Sequence, residues 1–166
     1  MPPVRIDGSH FSPDTRELIR LLHGHGVRYL VVGGEAVIFH GHARFTGDVD
    51  LLFATGGDNS ERLFLALDAF WDADIPGIET AEELLEKGLI LQFGIPPNRI
   101  DLINRIDGVS FEEAWRERVE AILVTSEGEV PVPYMSIDQL ILNKRAAGRP
   151  KDLDDLAYLE EARKNG

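Results

Sequence analysis

Val31-Val32-Gly33-Gly34-Glu35-Ala36, followed after a short gap by Arg44-Phe45-Thr46-Gly47-Asp48-Val49-Asp50-Leu51-Leu52, is the stretch on which the reading of this chain turns. It predicts a buried strand, a glycine turn, a short helix and a second strand entered through two alternating acids. Side chains alternate faces along a strand, so Asp48 and Asp50 share one face, roughly 6.5–7 Å apart along the chain, and Val49 points the other way. Two carboxylates so placed repel each other unless they are solvated, protonated or bridged by a cation. Hard oxygen ligands at this spacing suit Mg²⁺ (or Mn²⁺), which keeps several waters and shares its shell with substrate phosphates.

Upstream, Ser12-Pro13-Asp14 predicts a helix start: a hydroxyl cap, a proline at the first position and an acid at the positive end. Leu18, Ile19, Leu21 and Leu22 fall on one face, and Gly24 and Gly26 end the helix. A strand over 27–32 runs into Gly33-Gly34, where the backbone can approach a ligand closely. A short helix over 35–40 and the strand over 48–54 complete the unit. His23, His25, His40 and His42 fit helix ends and loops better than metal ligation, because no third ligand lies near them in sequence.

Downstream, Leu63, Phe64, Leu67 and Phe70 give a helix over 60–71. Thr80 and Glu83, and again Ser110 and Glu113, read as capping boxes. Two strands over 89–93 and 99–103 flank Gly94-Ile95-Pro96-Pro97-Asn98, and the second carries Asp101 among Ile100, Leu102 and Ile103. A carboxylate in such apolar company is costly without a partner. A hairpin follows over 121–132, with Pro131 and Pro133 placing its second arm at a sheet edge. Ser136 caps one helix, and Pro150 opens another. No internal repeat is present.

A length of 166 residues suits a single domain over 1–166, with a core of about 12–133 and a helical element at about 136–164. The fold class expected is α/β (α+β): a small mixed sheet of about five strands, flanked by helices and closed by a C-terminal helical pair. No apolar run approaches the roughly 20 residues of a membrane span, and Met1-Pro2-Pro3-Val4-Arg5 lacks the layout of a signal peptide. The absence of cysteine excludes disulfides and thiolate zinc sites and suits a cytoplasmic protein. With 29 acidic against 17 basic residues, the net charge of −12 disfavours a surface that grips long nucleic acid by its backbone.

Taken in order, Gly33-Gly34, Asp48-Val49-Asp50 and Asp101 within Arg99-Ile100-Asp101-Leu102-Ile103 resemble the nucleotidyltransferase superfamily, the polymerase-beta-like fold. The resemblance implies that Asp48 and Asp50 hold divalent metal, that Asp101 helps bind it and activates the attacking hydroxyl, and that the glycine turn receives the triphosphate of an NTP. The tail, Asn143-Lys144-Arg145-Ala146-Ala147-Gly148-Arg149-Pro150-Lys151-Asp152-Leu153-Asp154-Asp155, is similar to the C-terminal element of small nucleotidyltransferase-like proteins related to abortive-infection toxins. That likeness implies Lys144 and Arg149 as nucleotide contacts positioned by Asp152 and Asp155, and an antitoxin-like partner. The acids of the tail also suit a helix N-terminus on their own. Arg44 and Thr46 either face the nucleotide or, for Arg44, pair with a nearby acid. Many family members carry Ser after the glycine; Glu35 stands here and must point outward or pair with Arg44. The acceptor hydroxyl is left open among an RNA end, a protein and a small molecule. The competing reading is a non-catalytic nucleotide-binding or protein-interaction module on the same fold.

Overall fold

The computed structural model describes residues 2–166. The first helix, α1 (Pro13–Gly24), begins where the sequence directs: Ser12 Oγ accepts from the backbone N–H of Thr15, and Pro13 fills the first position. Leu18, Ile19 and Leu22 of α1 are fully buried. They share the core with β2 (Tyr29–Val32), β3 (Asp48–Phe53) and α3 (Asn59–Phe70). Between β2 and β3 lies α2 (Gly33–Phe39), which starts on the diglycine itself rather than after it. Leu51, Leu52 and Phe53 are all buried, as expected of a strand covered on both faces.

A 3-10 turn at Ala81–Leu85 leads to β4 (Ile90–Phe93) and β5 (Arg99–Ile103). The carboxylate of Glu83 accepts from the backbone N–H of Thr80, as its spacing implied. At α4 (Phe111–Arg116) the expected capping box does not form, because the Ser110 side chain makes no cap bond. The hairpin of β6 (Val119–Thr125) and β7 (Gly128–Tyr134) follows, then α5 (Ile137–Ala147) and α6 (Pro150–Asn165), which pack on each other as a pair.

The sheet is mixed and has seven strands rather than about five, in the order β1-β6-β7-β2-β3-β5-β4. The strand the sequence hides is β1 (Arg5–Asp7), three residues too short to show alternation, which pairs parallel to β6. A second correction concerns β7. It is an interior strand, although Pro131 and Pro133 argued for an edge. Both prolines lie where β7 pairs only with β6; its parallel pairing to β2 is confined to Tyr134 opposite Val31. The proline-bearing stretch is therefore a local edge inside an interior strand, and no ladder bond is lost to it.

Two registers decide the site. β3 and β5 run parallel, with Asp48 opposite Arg99 and Asp50 opposite Asp101. β4 runs antiparallel to β5, with Gln92 opposite Asp101. Alternation then puts Asp48, Asp50, Arg99, Asp101 and Gln92 on one face. No helix among the described residues is long and apolar enough to cross a membrane.

Candidate active site

The parallel register of β3 and β5 brings the three acids together. One carboxylate oxygen from each of Asp48, Asp50 and Asp101 lies within 4.8 Å of the others. Thr46 Oγ1 donates to Asp48 Oδ1 at 3.1 Å and also lies 3.2 Å from the Asp48 carbonyl oxygen, which sets the entry to β3. Gly33 is required at its position. Its φ of +63° is left-handed, and a Cβ there would collide with Asp50 Oδ2 and come within 3.1 Å of Asp50 Cγ. A Cβ on Gly34 would lie 2.7 Å from Thr46 Oγ1 and 3.0 Å from Arg44 Nη2. The diglycine thus lets the chain press against Asp50 on one side and against the 44–46 loop on the other.

Arg99 is the site residue that the sequence reading passed over. Its Nη2 donates to Asp48 Oδ2 at 2.7 Å, and its Nε donates to Asp101 Oδ1 at 3.0 Å. The signal was available: Arg99-Ile100-Asp101 has the same alternation as Asp48-Val49-Asp50. Asp50 has no ion pair among the described residues. Burial, then the charges of Asp48 and Asp101, push its carboxyl up to about 7, against the smaller opposing pull of Arg99. A cluster of three acids with one guanidinium between two of them still lacks positive charge at Asp50.

That donor set fits a divalent cation. It offers hard oxygens only, close together and on one face, and it leaves Asp50 without a counter-charge. Asp48, with 24% of its side chain exposed, opens the cluster to the outside, whereas Asp101 is buried.

The other expected site residues divide into two groups. Gly33 and Arg149 line a cleft of about 570 Å³ together with Asp50 and Asp101. Lys144 does not line it. It is buried, with Nζ 3.2 Å from Asp152 Oδ1 and 3.1 Å from Asp155 Oδ2. Asp152 also accepts from Arg149 Nε at 2.7 Å, and Asp155 accepts from Arg44 Nη2 at 3.0 Å. Arg149, Asp152, Lys144, Asp155 and Arg44 therefore form one ionic ladder, running from the cleft to the loop above the diglycine. The acids of the tail do more than begin a helix: Asp152 and Asp155 are both buried against these bases.

Glu35 pairs neither with Arg44 nor with solvent. It is buried and meets His10 Nε2 at 2.8 Å, with His10 supplied by a 3-10 turn just after β1. The Glu35 hydrogen bond raises the His10 pKa. Since β1 was not foreseen, neither was this partner. Three other histidines meet protein groups: His25 Nδ1 meets the Leu21 carbonyl, His40 Nε2 the Met135 carbonyl, and His42 stacks on Tyr158.

Among known families, residues 14–160 match the one described as nucleotidyltransferase of unknown function (DUF6036). The chain belongs to this nucleotidyltransferase family. The match spans both β-strands of the acid cluster, the diglycine and all but the end of α6. No curated protein matches the chain.

Proposed function

We propose that this nucleotidyltransferase-family protein is a Mg²⁺- or Mn²⁺-dependent enzyme that moves a nucleoside monophosphate from an NTP to an acceptor hydroxyl. The observation that carries the reading is the convergence of Asp48, Asp50 and Asp101, from two parallel strands in register, at one accessible point beside a glycine turn. Asp48, Asp50 and Asp101 would hold the metal. Bound there, it supplies positive charge to the phosphates of the donor and to the oxygens that enter and leave in an in-line displacement. Asp101 takes the proton of the acceptor hydroxyl. The freed oxygen bonds to the α-phosphorus, the bond from that phosphorus to the bridging oxygen breaks, and pyrophosphate leaves with the electron pair. The Gly33-Gly34 turn gives the triphosphate close access to backbone, and Arg149 meets it from the α5–α6 junction. Lys144 acts one step back: it neutralises Asp152 and Asp155, which in turn orient Arg149 and Arg44. Thr46 orients Asp48.

The net charge of −12 repels a polyanion, so a protein side chain or a small hydroxyl compound is favoured over an RNA end as acceptor. The likeness of the tail to toxin-related proteins is the support for an antitoxin-like partner. Incubating the protein with labelled NTPs and a cell lysate tests the transfer directly. Label should enter one fraction with wild-type protein and not with Asp48→Asn/Asp50→Asn. No label in any fraction would overturn the enzyme reading.

One observation favours a second reading, a non-catalytic nucleotide-binding or interaction module. Arg99 gives Asp48 and Asp101 an internal counter-ion, so much of the cluster is satisfied without metal. Thermal shifts separate the two. The transferase reading requires metal-dependent stabilisation by nucleotide that disappears in Asp48→Asn/Asp50→Asn; indifference to metal and nucleotide favours an interaction module, and nucleotide binding by a protein that labels no acceptor favours a nucleotide-binding one.

A further inference from the structure

Most arginines of this acidic protein are matched with carboxylates: Arg5 with Glu129, Arg28 with Glu112, Arg145 with Glu160 and Arg163 with Asp138, besides those of the acid cluster and the ladder. Arg62, Arg105 and Arg116 are exposed and, among the described residues, have neither an ion pair nor a side-chain hydrogen bond. Of these three, Arg105 lines the cleft that holds Asp50, Asp101 and Arg149. It sits two residues beyond the end of β5, whose Asp101 and Ile103 line the same cleft.

Arg149 reaches this cleft from the opposite element, at the start of α6. Asp152 engages its Nε from one side, and 60% of its side chain is exposed. The cleft is thus lined by Asp50 and Asp101, by two guanidinium groups from separate elements, and by Asp107, whose charge acts on Arg149. Its volume of about 570 Å³ suits one nucleotide-sized ligand rather than a strand of nucleic acid. A ligand that satisfies the paired acids and the arginines must present phosphate oxygens to a cation at Asp50 and Asp101 and further, unbridged phosphate oxygens to Arg105 and Arg149. A guanidinium offers a planar fork that matches phosphate. A monophosphate held at the acids has no second phosphate left for Arg105.

We propose that Arg105, together with Arg149, grips the terminal phosphates of a nucleoside triphosphate in this cleft, and that Arg105 sets a preference for triphosphate over monophosphate. The identity of the ligand rests on the transferase reading above; the role of Arg105 is tested apart from it. Calorimetry with Mg²⁺ would measure inorganic tripolyphosphate, ATP and AMP against wild type, Arg105→Gln, Arg105→Lys and Lys151→Gln. Lys151 is exposed and lies outside the cleft wall, so it controls for the lost charge. Losing a charge-assisted bond should weaken tripolyphosphate and ATP about tenfold or more in Arg105→Gln. AMP should change less than about twofold, and Arg105→Lys should recover only part of the loss. Equal effects of Arg105→Gln and Lys151→Gln, or an unchanged ratio of ATP to AMP affinity, would overturn the proposal and leave the transferase reading standing if label transfer persists. Tripolyphosphate binding that depends on Arg105, in a protein that labels no acceptor, would uphold it and sink the transferase reading instead.

Discussion

Replacing Asp50 by Asn should make the metal-free protein more stable, and the gain should depend on pH in a defined direction. The Asp50 carboxyl is raised from the ordinary 3.8 to about 7 by burial and by two neighbouring carboxylates. Between those values the folded chain keeps a proton that the unfolded chain has released. Stability contributed by this group therefore falls as pH rises from about 4 to about 7, and the full penalty is present above that. At 1.36 kcal/mol per pH unit the rise corresponds to about 4 kcal/mol. Relaxation around the coupled acids reduces this, so about 1–3 kcal/mol is the gain to expect for Asp50→Asn at pH 8, or roughly 2–9 °C in Tm for a domain of this size. The assay is thermal or urea unfolding of both proteins in chelator, at pH 5 and pH 8. Comparing the two proteins cancels the titration of the other groups. Added Mg²⁺ should then reverse the order, because the wild type gains a ligand that the variant cannot hold. The reasoning is refuted if Asp50→Asn is no more stable than wild type at pH 8, or if its advantage is as large at pH 5.

Three further outcomes follow from other parts of the site. Gly33→Ala forces a Cβ into Asp50 at a left-handed φ and should cost about 2 kcal/mol or more by urea unfolding, with loss of any metal-induced thermal shift. Lys144→Met leaves Asp152 and Asp155 buried without their shared base, and should destabilise the fold by about 3–5 kcal/mol; Lys144→Met/Asp155→Leu should recover part of it in a double-mutant cycle. The Glu35 hydrogen bond raises the His10 pKa, so its stabilising effect is full below the unfolded value of 6.5 and is lost as pH rises through the folded value. The stability difference between wild type and Glu35→Gln should accordingly be larger at pH 6 than at pH 8.5, read by chemical unfolding; a pH-independent difference would contradict the pairing.

The acids of the site could be read from sequence because each breaks a local rule. Asp48 and Asp50 interrupt the start of an apolar strand on one face, and Asp101 stands inside Ile-Asp-Leu-Ile, where burial has a cost. What could not be read was which residues of separate strands lie opposite each other. The register that sets Asp50 beside Asp101 and Asp48 beside Arg99 depends on packing across the whole sheet, so Arg99 looked like the first residue of a strand and nothing more. The same holds for Lys144. The resemblance of the tail implied a shared role with Asp152 and Asp155, but only the packing of α5 on α6 shows that the lysine is enclosed by the acids and does not reach the cleft. Glu35 was recognised as out of place, yet its partner comes from a three-residue strand and turn that carry no periodic signal. Pro131 and Pro133 misled for a related reason: they report the absence of a neighbour locally, not the place of the whole strand in the sheet.

Asp155 touches bases from two distant parts of the chain, Lys144 on α5 and Arg44 beside the diglycine. The final helix is thereby wired into the loop that frames the acids. Cutting the polypeptide after the seventh strand would not leave the acid cluster framed as it is, because Arg44 would lose its partner Asp155. Equally, a protein that seized the outer face of α6 and levered it away could silence the site without ever entering the cleft.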